Sequence, residues 1–369
     1  MKLLALLLAG SLYGADLLDN PAINYNYAPV HDPVARLDPG KLKSDLRCVL
    51  DALHVPVESQ IAVFSKTSLQ APLIGPNNPR TIFFNDSVAV GWMKGGFIEL
   101  AALDPRQGVQ FYTFDPRSYA PPRFEKGRDC LRCHVGEATL DVPGLVVRST
   151  YTAPDGSPML IYGGSAVDHR TPIEDRWGGW FVTGSVGKVH HLGNAVIRAQ
   201  GDPKAMEPLH GKTDSDVAAL MLFDHQMHMA NLIIRIGWDA RAGAGGLVES
   251  AKELVDYMLF VDEAPLPGKL EGKFAEVFGK NAIRDSKGRS LRDLDLQKRL
   301  LRYPCSYMIY SEAFDALPGE AKDAIYKRLW QILSGREKDK KYARLSVTDR
   351  RAVTEILRDT KKDLPLYFK

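Results

Sequence analysis

Residues 61 to 114 hold five short runs that decide the fold: Ile61-Ala62-Val63-Phe64, Thr81-Ile82-Phe83-Phe84, Val88-Ala89-Val90-Gly91-Trp92, Phe97-Ile98-Glu99-Leu100 and Val109-Gln110-Phe111-Tyr112. Each is rich in β-branched and aromatic residues, whose stiff side chains suit a pleated, half-buried surface. Turn residues separate the runs at Asn85-Asp86, Gly95-Gly96 and Asp104-Pro105. The stretch therefore reads as an antiparallel meander. Further on, Leu145-Val146-Val147-Arg148-Ser149-Thr150-Tyr151 and Met159-Leu160-Ile161-Tyr162 flank Pro154-Asp155-Gly156, a pattern that predicts a hairpin. Residues 177–184 offer one more strand.

From residue 214 onward the apolar spacing becomes helical. Residues 214–238 form a long helix candidate. Ser250 and Glu253 make a capping box that opens a second helix, stopped by Pro265. Residues 291–301, 319–333 and 346–360 complete the set, with Gly335 closing one helix and Ser346 as N-cap of the last. The predicted class is α+β, with a β-rich N-terminal half of meander and hairpins and a helical C-terminal half. The spacing divides the chain into residues 1–15, a β-rich region over 16–212 and a helical region over 213–369.

Composition is that of a globular protein: 45% hydrophobic and 25% charged, with a net charge of +3 over 369 residues. It excludes a disordered chain and carries no nucleic-acid signal. Single cores stop growing at roughly 250–300 residues, so two domains or one large one are expected.

Between the two halves stands Cys130-Leu131-Arg132-Cys133-His134, the attachment signature of a c-type haem. Two thiols one helical turn apart can add across the two vinyl groups of one porphyrin, and the adjoining imidazole can reach its iron. A redox dithiol is the first competing reading, but the preceding Phe124-Glu125-Lys126-Gly127-Arg128-Asp129 shows no apolar strand to start a βαβ unit. A structural zinc is the second. It would want another ligand pair nearby, and the other cysteines, Cys48 and Cys305, are isolated and distant in sequence. One covalent haem c, bound by Cys130 and Cys133 with His134 as proximal ligand, is therefore the expected cofactor, seated between the β-rich and helical halves.

The N-terminus agrees with that chemistry. Lys2 precedes the apolar run Leu3-Leu4-Ala5-Leu6-Leu7-Leu8-Ala9-Gly10, and small residues follow, a secretory signal pattern with cleavage expected near Gly14 or Ala15. A membrane anchor needs about 20 apolar residues, and Asp16 and Asp19 interrupt the run too early. No later segment reads as a span, so an exported, periplasmic protein is expected, where thioether attachment and oxidised cysteine pairs belong. Cys48 and Cys305 could pair in that compartment.

The CxxCH segment, Val142-Pro143-Gly144 with Arg148-Ser149, Gly178-Gly179-Trp180-Phe181-Val182-Thr183-Gly184 with His191-Leu192-Gly193-Asn194, and Tyr303-Pro304-Cys305-Ser306-Tyr307-Met308-Ile309-Tyr310-Ser311 together resemble a family of uncharacterised exported monohaem c-type proteins. The resemblance covers most of the chain from about residue 55. This chain departs from the pattern at Val186 and His190. What the resemblance implies is one haem and export, with no defined activity.

Nine histidines and nine methionines offer candidates for the sixth iron position. His191 lies in a glycine-rich segment where backbone can approach a macrocycle closely. His225 and His228 stand at i,i+3 on the first long helix candidate, in register with Met221 and Leu232. His191 is the first expectation and His225 the second. Loop and core roles compete with both. Met227 and Met229 point elsewhere and read as core, and Met159 in the hairpin is an outside candidate. His31 and His54 have no supporting pattern. Arg123, Lys126, Arg128 and Arg132 crowd the haem segment and suit carboxylates of the cofactor, an acidic partner or plain solvent. Gly243-Ala244-Gly245-Gly246 follows no strand and reads as a loop.

The expected role is one-electron transfer to or from a redox partner protein. The alternatives are a haem enzyme acting on peroxide or another small oxidant, with His190 or His191 as acid or base, and a haem-based sensor.

Overall fold

The computed structural model describes residues 18, 20–42, 45–118, 121–187, 190–198, 206–211, 213–266, 268–280 and 282–368. The expected leader over residues 1–15 lies outside them. A short helix, α1 (Leu46–Ala52), precedes the meander of β1 (Ile61–Val63), β2 (Arg80–Phe84), β3 (Val88–Trp92), β4 (Ile98–Asp104) and β5 (Gly108–Phe114). The turns form where the sequence places them. Asn85 Oδ1 accepts from the amides of Ser87 and Val88 at 2.9 Å each, Gly95 takes φ +82°, and Asp104 Oδ1 caps Arg106 and Gln107 before Gly108 at φ +89°. A two-residue strand, β6 (Glu125–Lys126), borders β5, and the haem-motif turn α2 (Leu131–His134) follows it.

β7 (Val147–Thr150) pairs antiparallel with β8 (Gly164–Val167) in a separate ribbon. This corrects the predicted hairpin arm at residues 159–162. The turn at Pro154-Asp155-Gly156 does form, with Gly156 at φ +94°, and closes a short pairing of Thr152 with Pro158 in which Met159 N donates to Tyr151 O at 2.8 Å; residues 160–162 then make a 3-10 turn before β8. β9 (Trp180–Phe181) joins the far edge of the main sheet beside β1, and β10 (Ala195–Ile197) pairs with β11 (Met206–Pro208). The main sheet thus runs β6-β5-β4-β3-β2-β1-β9, every pair antiparallel.

Its two faces follow the period of two. One face, with Phe83, Val90, Leu100 and Tyr112, packs on α1 and the segment around Val34. The other, with Ile82, Phe84, Leu103 and Phe111, joins a core that continues into the helical half. The axis of that core is α3 (Val217–Ala242). It is capped by Asp216, which accepts from Ala219 N at 3.0 Å and also from Phe274 N at 3.3 Å. By length and composition α3 could cross a membrane, which corrects the reading that no later segment qualifies. Its apolar window is 94% buried inside the protein, so its composition is accounted for by the core it fills.

Around α3 lie α4 (Leu247–Met258), α5 (Phe274–Phe278), α6 (Glu312–Asp315), α7 (Gly319–Leu333) and α8 (Val347–Thr360). Ser346 caps α8 in a capping box with Asp349, as expected. Two helix expectations change. α4 starts at Leu247 after Gly246 (φ +93°); Ser250 sits inside it, donating to Asp239 Oδ2 at 2.9 Å, and left-handed Phe260 and Asp262 end it before Pro265. Residues 291–301 form no helix. There Asp293, Asp295 and Ser290 accept backbone amides of their own neighbours, offering the chain an alternative to helical hydrogen bonds. Cys48 on α1 and buried Cys305 belong to different parts of the structure and are not bonded to each other.

The double use of the Asp216 carboxylate yields a prediction. Asp216→Ala leaves the amides of Ala219 and Phe274 without their acceptor and lowers unfolding free energy by about 1–2 kcal/mol in urea titration, whereas Asp216→Asn loses less.

Candidate functional site

The Cys130–His134 segment is docked by its own backbone. Gly127 N donates to Phe111 O on β5 at 2.8 Å, and Cys130 N donates to Gly127 O at 3.1 Å. Space is tight there, since a Cβ on Gly127 would come within 2.9 Å of Cys130 Sγ. One turn of helix then puts Cys130, half-buried against the main core, and exposed Cys133 three residues apart. The ring of His134 packs on Phe111 with centroids 4.8 Å apart.

His134 is held at one nitrogen. Its Nδ1 donates to Gly144 O at 2.9 Å, and Gly144 N returns a bond to His134 O at 3.0 Å. With the proton on Nδ1, Nε2 carries the lone pair, the tautomer that a metal-ligating imidazole requires. Burial pushes His134 down to about 4, only partly offset by the Gly144 carbonyl, so the ring is neutral at pH 7. It needs no deprotonation to bind a metal.

Gly144 is in turn held by α3. Asn231, 1% exposed, donates through Nδ2 to Leu145 O at 2.8 Å and accepts from Leu145 N at 3.1 Å. A Cβ on Gly144 would meet Asn231 Oδ1 at 2.2 Å, so the close approach needs glycine. Pro143 O accepts from Val109 N at 3.0 Å, tying the same loop to β5. Sheet, loop and helix therefore converge on one imidazole. The Val142-Pro143-Gly144 motif could have pointed to Gly144. Nothing in the spacing of α3 marks Asn231.

The surroundings of Cys130 do not favour the thiolate of a redox dithiol. Burial, reinforced by Glu99, raises Cys130 to about 11, whereas an attacking thiol in such a motif is lowered. Nor do three or more His, Cys, Asp or Glu side chains converge as an ion site among the described residues. What this donor set does fit is a thioether-linked porphyrin: two thiols on one helical turn and a neutral imidazole fixed at Nδ1.

The candidates for the sixth position are dispersed. His191 lies half-buried between β9 and β10, its Nδ1 accepting from Gly193 N at 3.0 Å and its ring edge-on to Trp177 at 5.5 Å. Trp177 donates to Asp224 on α3, seven residues or about 10 Å along the helix from Asn231. His225 is fully buried, with Nδ1 against His169 Nδ1 at 2.8 Å and Nε2 against Ser306 Oγ at 2.8 Å. Both of its ring nitrogens are engaged. His228 turns to Arg170, which donates to its Nε2 at 3.3 Å. Met227 and Met229 are core, as expected, and Met159 is half-buried before the 3-10 turn at residues 160–162. His169, which no sequence pattern singles out, completes a cluster stacked on Tyr257 and Phe260.

Of the basic residues, Arg123 pairs with Glu125 at 2.6 Å, and Lys126 reaches Gln110 Oε1 at 3.4 Å. Arg128 and Arg132 are exposed. Comparison with protein-family models, with curated proteins and with solved structures finds no match.

Two predictions follow from this packing. Asn231→Ala strips Leu145 of both hydrogen bonds and costs about 1–3 kcal/mol in chemical denaturation. The second concerns pH. Burial lowers His225 to about 3, His228 to about 4 and His169 well below the ordinary 6.5. Each ring takes up a proton on unfolding below 6.5, so folded stability falls as pH drops from there towards 4. Asp224 and Glu263, raised to about 7 by burial, act in the opposite sense. A single histidine isolates the effect: His228→Gln should reduce the stability lost between about pH 7 and pH 5 by about 1–2 kcal/mol, measured by urea titration at each pH.

Proposed function

We propose that the chain is an exported monohaem c-type cytochrome that passes single electrons through a haem bonded to Cys130 and Cys133, with His134 as proximal ligand. The observation that carries this reading is the hydrogen bond from His134 Nδ1 to the Gly144 carbonyl, within a CxxCH segment folded as one helical turn. When bound, the haem supplies the one-electron iron couple. The chain's own residues do the holding. Gly144 sets the imidazole tautomer, Phe111 limits the tilt of the ring, and Asn231 keeps the carbonyl in place.

His191 is the side chain proposed for the sixth position, because the loop that carries it leaves the ring half-buried with one nitrogen committed to Gly193. His225, the second candidate, has both nitrogens committed inside the core. Exposed Lys126, Arg128 and Arg132 around the attachment turn support an acidic redox partner protein, attracted through a field that salt would screen. The leader pattern and the resemblance to exported monohaem proteins support a periplasmic location.

The test is covalency followed by coordination. The mature protein should keep one haem through acid-acetone extraction, and Cys130→Ala with Cys133→Ala should abolish retention. Complete release from the unmutated protein rejects the reading. A low-spin spectrum that turns high-spin in His191→Ala supports a carrier with both axial positions filled. Rapid binding of carbon monoxide or cyanide by the unmutated protein would favour a haem enzyme or sensor instead.

A further inference from the structure

The sheet face on which the Cys130–His134 turn packs carries one charged pair that spans three strands. Arg80 on β2 and Glu99 on β4 are separated by β3, which presents Gly91 between them. The Arg80 guanidinium lies over that glycine, and its Nη2 reaches Glu99 Oε2 at 2.6 Å. A Cβ on Gly91 would come within 2.8 Å of Arg80 Nε and Nη2. Only glycine lets the guanidinium rest there undisturbed.

The pair is sheltered, with side chains 22% and 13% exposed. Glu99 is fixed from a third side, its Oε1 accepting from Ser68 Oγ at 2.9 Å and Gln70 Nε2 at 3.2 Å. The pair is incomplete on both sides: Arg80 Nε and Glu99 Oε2 are buried, and neither has a hydrogen-bond partner among the described residues. Arginine has five N–H donors in a fixed fork, and an ion pair with one carboxylate leaves donors over. A buried donor without an acceptor is costly, so a second acceptor at this place is favoured.

The register places the pair beside the attachment turn. Gly91 lies opposite Glu99 and Ala89 opposite Ala101, which in turn lies opposite Phe111. Phe111 is the ring under His134. The face between the charged pair and His134 is therefore floored by Gly91, Ala89 and Ala101, none with a side chain beyond a methyl. Ala101 stays half-buried at the centre of the sheet, so this part of the face is not sealed by the protein.

We propose that Arg80 receives a propionate carboxylate of the haem, with Glu99 as the positioning residue that holds its guanidinium across Gly91. The proposal rests on the functional reading above, and it adds a charge control to it. A cation beside the haem favours the reduced state, which carries one positive charge fewer than the oxidised one, and an anion favours the oxidised state. Arg80 and Glu99 then pull the midpoint potential in opposite directions.

The experiment uses the full chain, matured with haem, as parent, Arg80→Gln, Arg80→Lys and Glu99→Gln. Haem content is read after acid-acetone extraction, and the midpoint potential is followed across pH. All four should keep covalent haem. Arg80→Gln should lower the potential and give it a new dependence on pH near neutrality, as a propionate without its cation titrates there; Arg80→Lys should restore much of both. Glu99→Gln should raise the potential. A haem-loaded Arg80→Gln with the parent's potential and pH profile overturns the proposal, and if that variant does not fold, an unshifted potential in Glu99→Gln does so. A parent without covalent haem overturns the functional reading itself, before any variant is compared.

Discussion

The amide of one buried asparagine joins the two halves of this protein. Asn231 pairs with both backbone groups of Leu145, as a neighbouring strand would, but from the middle of α3. In a dry interior such a double bond is costly to break, because loss of either partner strands buried polar groups. The loop it holds carries the Gly144 carbonyl, and that carbonyl orients His134. Helix, loop and the Cys130–His134 turn are thus one mechanical unit, and the orientation of the His134 ring is inherited from the packing of α3.

That packing is secured from several directions. α3 is buried along nearly its whole length, with the sheet, α4 and α7 against it. Its polar residues are each committed to a specific partner: Asp224 to Trp177 and Arg176, His225 to His169 and Ser306, Gln226 to Asn85 and Tyr307. A helix that is apolar all round can slide or rotate in its bed. These polar contacts favour one register, as the proposed cofactor site at its side would require. The size of the chain becomes intelligible on these terms, since one attachment turn is supported by a sheet on one side and a helical core on the other.

The attachment turn itself is lightly built. It is a 3-10 turn and one turn of helix, fastened through Gly127, Cys130 and His134. A segment so short has little stability of its own. It depends on Phe111 beneath it and on Gly144 behind it, and both of these sit on elements fixed by the main core.

Much of the architecture was legible in the chain alone. The runs from Ile61 to Tyr112 are separated by local turn signals, the side chains of Asn85 and Asp104 and the left-handed glycine Gly95, so local chemistry sufficed for these turns of the meander. Ser346 announces a helix start for the same reason, whereas the long helix read over 214–238 begins three residues later, after Asp216. The expectations that changed are those where local and distant partners compete: residues 291–301, where Asp293 and Asp295 bind neighbouring amides, Ser250, claimed by Asp239 across the α3–α4 turn, and the arm at 159–162, where pairing ends at Met159 and a 3-10 turn takes over. The proposed cofactor motif is wholly sequential, because two thiols and an imidazole would have to lie within one turn, and so the proposal for Cys130, Cys133 and His134 comes from the chain alone. Which carbonyl holds the imidazole, which arginine lies across a glycine beside it, and which of nine histidines are locked in the core were decided only by tertiary structure, since each depends on contacts between residues ten or more positions apart.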